Sequence, residues 1–280
     1  MNNLFRFASL GCVVASMALV SCSDNDDAPE TPNTPVAPSM GNVFTQGTPM
    51  EVDGYKLTVN DKNQVTNLKD EWNDITIEYG TFTRATDFQA KATYKYEGRE
   101  EYEIYLQLNN QGFVTYALQV YADAEEGEDT WKFEYNADGR MTRLQRSEGN
   151  DEYTMTYTDG DITKVSHSED DGDSWVATIS YTNDTQKTAV ANKGNVMLFD
   201  EAFSVDMDEM SILYYAGLLG NGTKNLPMKK VVAWTEGDSS GVSTYIYFWE
   251  LLKDTDLPTA FWSTRDDSDW KEDEISFTWK

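Results

Sequence analysis

Tyr135-Asn-Ala-Asp-Gly139-Arg-Met-Thr-Arg-Leu144 and Tyr157-Thr-Asp-Gly160-Asp-Ile-Thr-Lys-Val165 are two versions of one phrase. Each has an aromatic strand end, a polar turn closing on glycine, and the start of a fresh strand. In the first copy Asp138 suits a tight turn, and Gly139 supplies the positive φ that a type I turn with a bulge requires. Asn109-Asn-Gln-Gly112 repeats the device, and Asn60-Asp-Lys-Asn-Gln64 is a weaker copy. The phrase is a hairpin, and repeating it builds a meander.

The segments between the turns alternate with period two. Trp131, Phe133 and Tyr135 face one way while Thr130, Lys132 and Glu134 face the other. Tyr102, Ile104, Leu106 and Leu108 do the same, as do Tyr153, Met155 and Tyr157, and Trp175, Ala177, Ile179 and Tyr181. Such alternation marks half-buried antiparallel strands. The segments 245–249 and 275–279 read alike. The expected fold is mainly β: an antiparallel up-and-down meander, strongly curved or closed into a barrel.

A second kind of turn lies between these hairpins, and it is acidic. Consecutive turns of a meander fall at opposite ends of the sheet, so parity sorts them. The segments 97–101, 123–129, 148–152, 169–173, 236–240 and 265–274 sum to −20. Those of the other parity (60–64, 109–112, 136–140, 158–161, 182–195 and 253–258) sum to −2. Most of the net charge of −27 is therefore expected on one rim.

One stretch breaks the strand rhythm. Phe203, Met207, Met210, Leu213 and Leu218 fall near helical spacing, with Asp200 and Glu201 early and Gly217 and Gly220 late. A short helical insertion around 200–220 is expected, joining two strands at the neutral end.

The N-terminus is an address. Arg6 precedes an apolar run from Phe7 to Val20, too short to span a bilayer as a helix. It ends in Leu19-Val20-Ser21-Cys22, which resembles a bacterial lipobox, so residues 1–21 are expected to be a lipoprotein signal peptide and Cys22 the acylated first residue. Ser23-Asp24-Asn25-Asp26-Asp27 resembles the acidic export signal of surface lipoproteins of Bacteroidota. Pro29, Pro32, Pro35 and Pro38 then recur every third residue, and 22–41 reads as an acidic, Pro-rich tether. Residues 42–280 are expected to form a single β-meander domain.

Cys12 and Cys22 are the only cysteines, so the mature domain has no disulfide, Cys-ligated metal or Cys nucleophile. The charge makes nucleic acid and anionic membrane surfaces poor partners. An aromatic content of 13% argues against disorder.

The repeated phrase resembles the YD repeats of Rhs-type shells. A longer order is more telling: Tyr181-Thr-Asn-Asp, Asn192-Lys-Gly-Asn195, an apolar stretch with Gly217-Leu-Leu-Gly220, Lys224-Asn-Leu-Pro227-Met-Lys-Lys-Val231, and Leu252-Lys-Asp-Thr-Asp-Leu-Pro258. From about 55 to 280 the chain is similar to a family of Bacteroidota lipoproteins, a domain of unknown function with a porin-like fold. The resemblance implies a curved or closed β-meander and no catalytic residue. The sequence departs from it at Lys253-Asp-Thr-Asp-Leu-Pro258, where an Asp-Gly turn belongs.

Chemistry finds little purchase. His167 is the single histidine, at the junction of a strand and an acidic turn, a poor start for a Ser-His-Asp triad or a zinc site. Glu169-Asp-Asp-Gly-Asp173 and Asp266-Asp-Ser-Asp269 are rich in oxygens but do not fit the EF-hand calcium loop. A glycosidase needs two carboxylates at a set separation, and 49 acidic residues offer no way to choose. No metal and no cofactor are expected. Trp131, Trp175 and Trp249 belong to the core, whereas Trp72 and Trp270 lie in polar connections and are the candidate ligand contacts.

The expected protein is an outer-membrane lipoprotein, anchored through Cys22 and facing the cell exterior. It is expected to be a non-catalytic binding or scaffolding domain for a glycan or surface protein, with no nucleic-acid partner. A surface hydrolase using a carboxylate pair and a structural envelope protein are the alternatives. A transmembrane barrel would need an uncharged lipid-facing side.

Overall fold

The computed structural model describes residues 39–280 apart from 124, 126, 170, 171, 267 and 269, and Glu209 by its backbone alone. Sixteen strands form a closed barrel: β1 (Pro49–Val52), β2 (Tyr55–Val59), β3 (Val65–Lys69), β4 (Asn73–Thr83), β5 (Asp87–Tyr96), β6 (Arg99–Leu108), β7 (Val114–Tyr121), β8 (Glu128–Tyr135), β9 (Met141–Arg146), β10 (Glu152–Thr158), β11 (Asp161–Ser168), β12 (Ser174–Ser180), β13 (Lys229–Glu236), β14 (Ser239–Leu251), β15 (Pro258–Arg265) and β16 (Glu272–Trp279). Each strand pairs antiparallel with the next in sequence. Val52 of β1 opposite Phe277 of β16 closes the ring. The expected up-and-down meander is thus a closed barrel.

The repeated phrase explains the hairpins, through an asparagine rather than through Asp138. Asn136 Oδ1 accepts from the backbone N–H groups of Asp138 and Arg140, both at 3.0 Å. Asn109 does the same for Gln111 and Phe113, and Asn60 for Lys62 and Gln64. Gly139 follows with φ of 73°, as the turn requires. The turn at 159–160 is a tighter variant in which Asp159 and Gly160 both have positive φ, the two-residue hairpin that Asp-Gly favours.

The tyrosine of the phrase has its own task. Tyr135 donates its hydroxyl to the carbonyl of Val114, the first residue of the preceding strand, at 2.8 Å. Tyr157 reaches back to Met141, Tyr181 to Ile162 and Tyr79 to Val65 in the same way, at 2.8–3.0 Å. Each phrase therefore turns the chain and also ties its strand to the one before it. A buried hydroxyl without such a partner costs about 1–3 kcal/mol.

Sixteen strands enclose more space than their own side chains fill; in porins of this size the space is a water channel. Here it is packed with protein. The connection between β12 and β13, residues 181–228, leaves the neutral end and runs into the lumen. There it forms α2 (Phe199–Phe203) and a 3₁₀ segment, Asp208–Ala216. The expected helical insertion is present and joins two strands at the neutral end, but its body lies inside the barrel and not at the rim. Its side chains account for the difference: Phe203, Val205, Met207, Met210, Leu213, Tyr214 and Leu218 are almost wholly buried. Each large apolar side chain removed from water contributes about 1.5–3 kcal/mol, which a segment at the rim would forgo. Asn192 holds the root of this plug. Its Nδ2 donates to the carbonyls of Val196 and Thr223, and its Oδ1 accepts from the Val196 N–H. Deeper in, Tyr247 donates to the Glu201 and Ala202 carbonyls, and Lys230 donates to the Glu201 carbonyl and Ser204 Oγ.

The outer wall of β4–β10 is polar. Lys91 pairs with Glu78 and Glu103 on flanking strands, at 3.2 and 2.7 Å, and Arg143 with Glu134 and Glu152, at 3.1 and 2.7 Å. Lipid-facing barrel walls carry an apolar band and strands of about 9–11 residues. This wall carries ion-pair ladders, and several strands are shorter. The exterior of β12–β15 is more apolar, with Val242 exposed and Phe248 stacked on Trp262 at 5.4 Å.

The chain joins the barrel at its neutral end. The short helix α1 (Met40–Val43) buries Met40 and Val43, and Phe44 packs on Tyr214 and Tyr215. The Met40 N–H donates to the Asn63 carbonyl in the 60–64 turn. Residues 39–41, expected in the tether, therefore belong to the folded domain.

Candidate functional site

Parity places the turns at 53–54, 70–72, 97–98, 122–127, 147–151, 169–173, 237–238 and 266–271 on one rim, opposite the end where the chain joins. This is the acidic rim, and contacts between adjoining turns bind it together. The Glu97 N–H donates to the Trp72 carbonyl, and Gly237 N–H donates to Asp173 Oδ1.

Inside this rim the plug does not meet the wall everywhere. A cavity of about 320 Å³ remains between the plug and strands β1, β2, β4, β5, β6 and β16. Tyr55, Tyr94, Tyr102 and Tyr215 give it aromatic walls, and Asp53 and Glu201 give it carboxylates. Tyr94 and Tyr102 stack at 4.6 Å and so fix one wall. Burial pushes the Glu201 carboxyl up to about 7, with Asp200 adding to the effect. Burial and then Asp70 raise Asp53. Two poorly solvated carboxylates in a half-apolar cleft favour a ligand that brings hydrogen-bond donors.

The predicted ligand contacts fall beside this mouth. Around the ring, the turns holding Trp270 and Trp72 are the two neighbours of the Asp53-Gly54 turn. Trp270 is 78% exposed and Trp72 51%, whereas Trp131 is fully buried and Trp175 and Trp249 pack on the core. Sequence reasoning singled out the two tryptophans; closure of β16 onto β1 sets their turns on either side of the Asp53-Gly54 turn. It missed Glu201, Asp53 and the tyrosines, whose convergence depends on the plug. Cys22, the signal peptide and most of the tether lie outside the described residues.

The far side of the same rim holds a second grouping. His167 faces inward from β11, 6% exposed, between Tyr153 and Trp175 with ring centroids 4.4 and 5.3 Å away. Its Nε2 lies 3.3 Å from Asp151 Oδ1 and 3.6 Å from Glu169 Oε1. Next to it Arg146 lies over Trp131 at 4.6 Å and pairs with Asp129, Glu148 and Asp208, so the plug is tethered to the wall here as well.

Residues 50–250 match the family described as a domain of unknown function (DUF4595) with porin-like fold. The chain belongs to this family. The match ends within β14, while the ring of this porin-like domain runs on to Trp279. A porin-like protein from Bacteroides uniformis ATCC 8492 is similar in structure, with a TM-score of 0.58 at 16% identity, over 81% of this chain and 89% of that one. A porin-like protein from Bacteroides vulgatus ATCC 8482 gives a TM-score of 0.45 at 14% identity, over 82% and 97%. The comparison with curated proteins returns no match.

Proposed function

We propose that this porin-like domain is the non-catalytic binding domain of an outer-membrane lipoprotein, and that it takes an uncharged or amino-bearing glycan at the acidic mouth. The observation carrying this reading is the cavity between plug and wall, under a rim where the turns beside its Asp53 carry the exposed Trp72 and Trp270. Exposed aromatic faces stack on sugar rings, carboxylates accept from hydroxyls, and the acidic rim turns anionic glycans away. The polar outer wall and the packed lumen argue against a lipid-embedded channel. An acyl chain on Cys22 and a tether to the neutral end would hold the mouth away from the membrane, facing outward. The similarity of the 19–27 stretch to a lipobox with an acidic export signal supports that anchoring.

The test is a titration of the full chain with neutral and anionic oligosaccharides, read by tryptophan fluorescence. Neutral glycans should bind. Trp72→Ala and Trp270→Ala should each weaken binding about tenfold, or about 1.4 kcal/mol, with the thermal midpoint unchanged. Equal binding by wild type and the double variant would refute the site. Binding of a surface protein in place of every glycan would refute the ligand class while keeping the mouth.

Glu201 favours a second reading, a surface hydrolase. A carboxyl with a pKa about 7, beside Asp53 in a cleft, has the protonation behaviour of a general acid. Turnover of a bound glycan that Glu201→Gln abolishes without weakening binding would establish it.

A further inference from the structure

The geometry points to a divalent transition-metal site, suited to zinc, formed by Asp151, His167 and Glu169 on the acidic rim. It lies across the ring from the glycan mouth and does not depend on it.

The register of β10 and β11 assembles the three residues. Tyr153 stands opposite His167 and Glu152 opposite Ser168, so the next step outward brings Asp151 opposite Glu169. One oxygen of each carboxylate and an imidazole nitrogen lie within 4.8 Å of one another. The ring is clamped between Tyr153 and Trp175, which fixes its rotamer with Nε2 toward the two carboxylates.

Nε2 makes one long hydrogen bond, to Asp151 Oδ1 at 3.3 Å, and the spacings also leave room for an ion. A charge-assisted N–H···O bond closes to about 2.7–2.9 Å, and one N–H serves one oxygen well. Nε2 instead stands 3.3 and 3.6 Å from two oxygens. Ligands about 2.0–2.1 Å from one tetrahedral ion are separated by about 3.3–3.4 Å. The two nitrogen–oxygen spacings match those between neighbouring ligands of one ion, and the two oxygens lie within 4.8 Å of each other.

One imidazole and two carboxylates suit zinc, with cobalt and manganese weaker. The carboxylates are 21% and 36% exposed, which leaves a fourth position for water. His167 Nδ1 is buried with no hydrogen-bond partner. A supporting acceptor on that nitrogen ordinarily strengthens a zinc site by roughly 10–100-fold, so affinity is expected to be moderate.

Zinc chloride titrated into the full chain, watched by calorimetry and by the NMR signals of the imidazole ring, tests the site. His167 is the chain's only histidine, so those signals need no assignment. They should shift with one equivalent of zinc. Asp151→Asn and Glu169→Gln should each weaken binding at least tenfold, while Glu97→Gln, elsewhere on the rim, should leave it unchanged. Imidazole signals that stay put at saturating zinc would overturn the assignment, and this measurement needs no variant to fold. Equal losses in all three variants would also overturn it, in favour of diffuse attraction by the rim.

Discussion

The two ends of the barrel are built from similar hairpins and put to opposite uses. At the neutral end, turns touch the plug: the Asn221 N–H donates to the Gly139 carbonyl, and the Lys224 N–H to that of Gly160. The helix α1 and the C-terminal Lys280, whose N–H donates to Thr48, close the same end. At the acidic end the turns carry carboxylates and exposed tryptophans, and the plug leaves a cavity behind them. Like charges gathered on a rim repel, and evolution has no structural reason to collect them there. One end is therefore spent on construction, while the other keeps a cavity open behind its turns.

Glycine substitutions break this comparison most severely. A Cβ on Gly220, at φ of 88°, would strike the Gly139 carbonyl oxygen and Tyr135 Cε1. Gly237, at φ of 52°, has nothing within 4 Å. Gly220→Ala should cost more than about 3 kcal/mol, combining backbone strain with overpacking, and Gly237→Ala about 1 kcal/mol. Urea unfolding measures both. Similar costs at the two ends would remove the distinction.

Asn192→Ala tests whether the plug is held from its root. It leaves the Val196 N–H and two carbonyls without their partner, for an expected loss of about 2–3 kcal/mol by urea unfolding. Protection of 196–219 amides from hydrogen exchange should fall further than that of the strands. A uniform loss would mean that the plug is held along its whole length.

The smallest effect sharpens the acidic end. The Glu201 carboxyl titrates near 7 when folded and near 4.5 when unfolded, so between these values the folded state binds the extra proton. Stability should fall as pH rises through that window and level off above it, by at most about 3 kcal/mol. Asp53 and Asp200, also raised by burial, add in the same sense. Glu201→Gln should flatten part of the slope in chemical unfolding from pH 4.5 to 7.5. An unchanged slope would place Glu201 in water.

Much of this fold was legible because its rules are local. Period-two alternation marks the strands, turn residues mark the hairpins, and parity alone sends the charged turns to one rim. The departure at 253–258 is absorbed locally too, since Asp256 takes the positive φ that glycine was expected to supply. The plug was not legible: Phe203, Met210 and Leu213 read equally well as a helix packed at one end. Only the strand number, which sets the volume to be filled, sends them inside. Nor was the grouping around His167, because a one-residue slip in the β10–β11 register would separate it. Trp72 and Trp270 lie far apart in sequence, and their turns come to flank the Asp53-Gly54 turn only through the β1–β16 seam.

The position of the plug between β12 and β13 has a consequence for assembly. Strands joined by short hairpins form quickly, whereas contacts across the whole chain must wait for their ends to meet. If the chain is delivered from its N-terminus, β1–β12 come first as a curling sheet with an apolar inner face. Residues 181–228 follow and can settle on that face while it is still open. The last four strands then wrap over them, and the β1–β16 seam seals the ring. Nothing has to be threaded into a finished barrel; the wall is finished around its own filling.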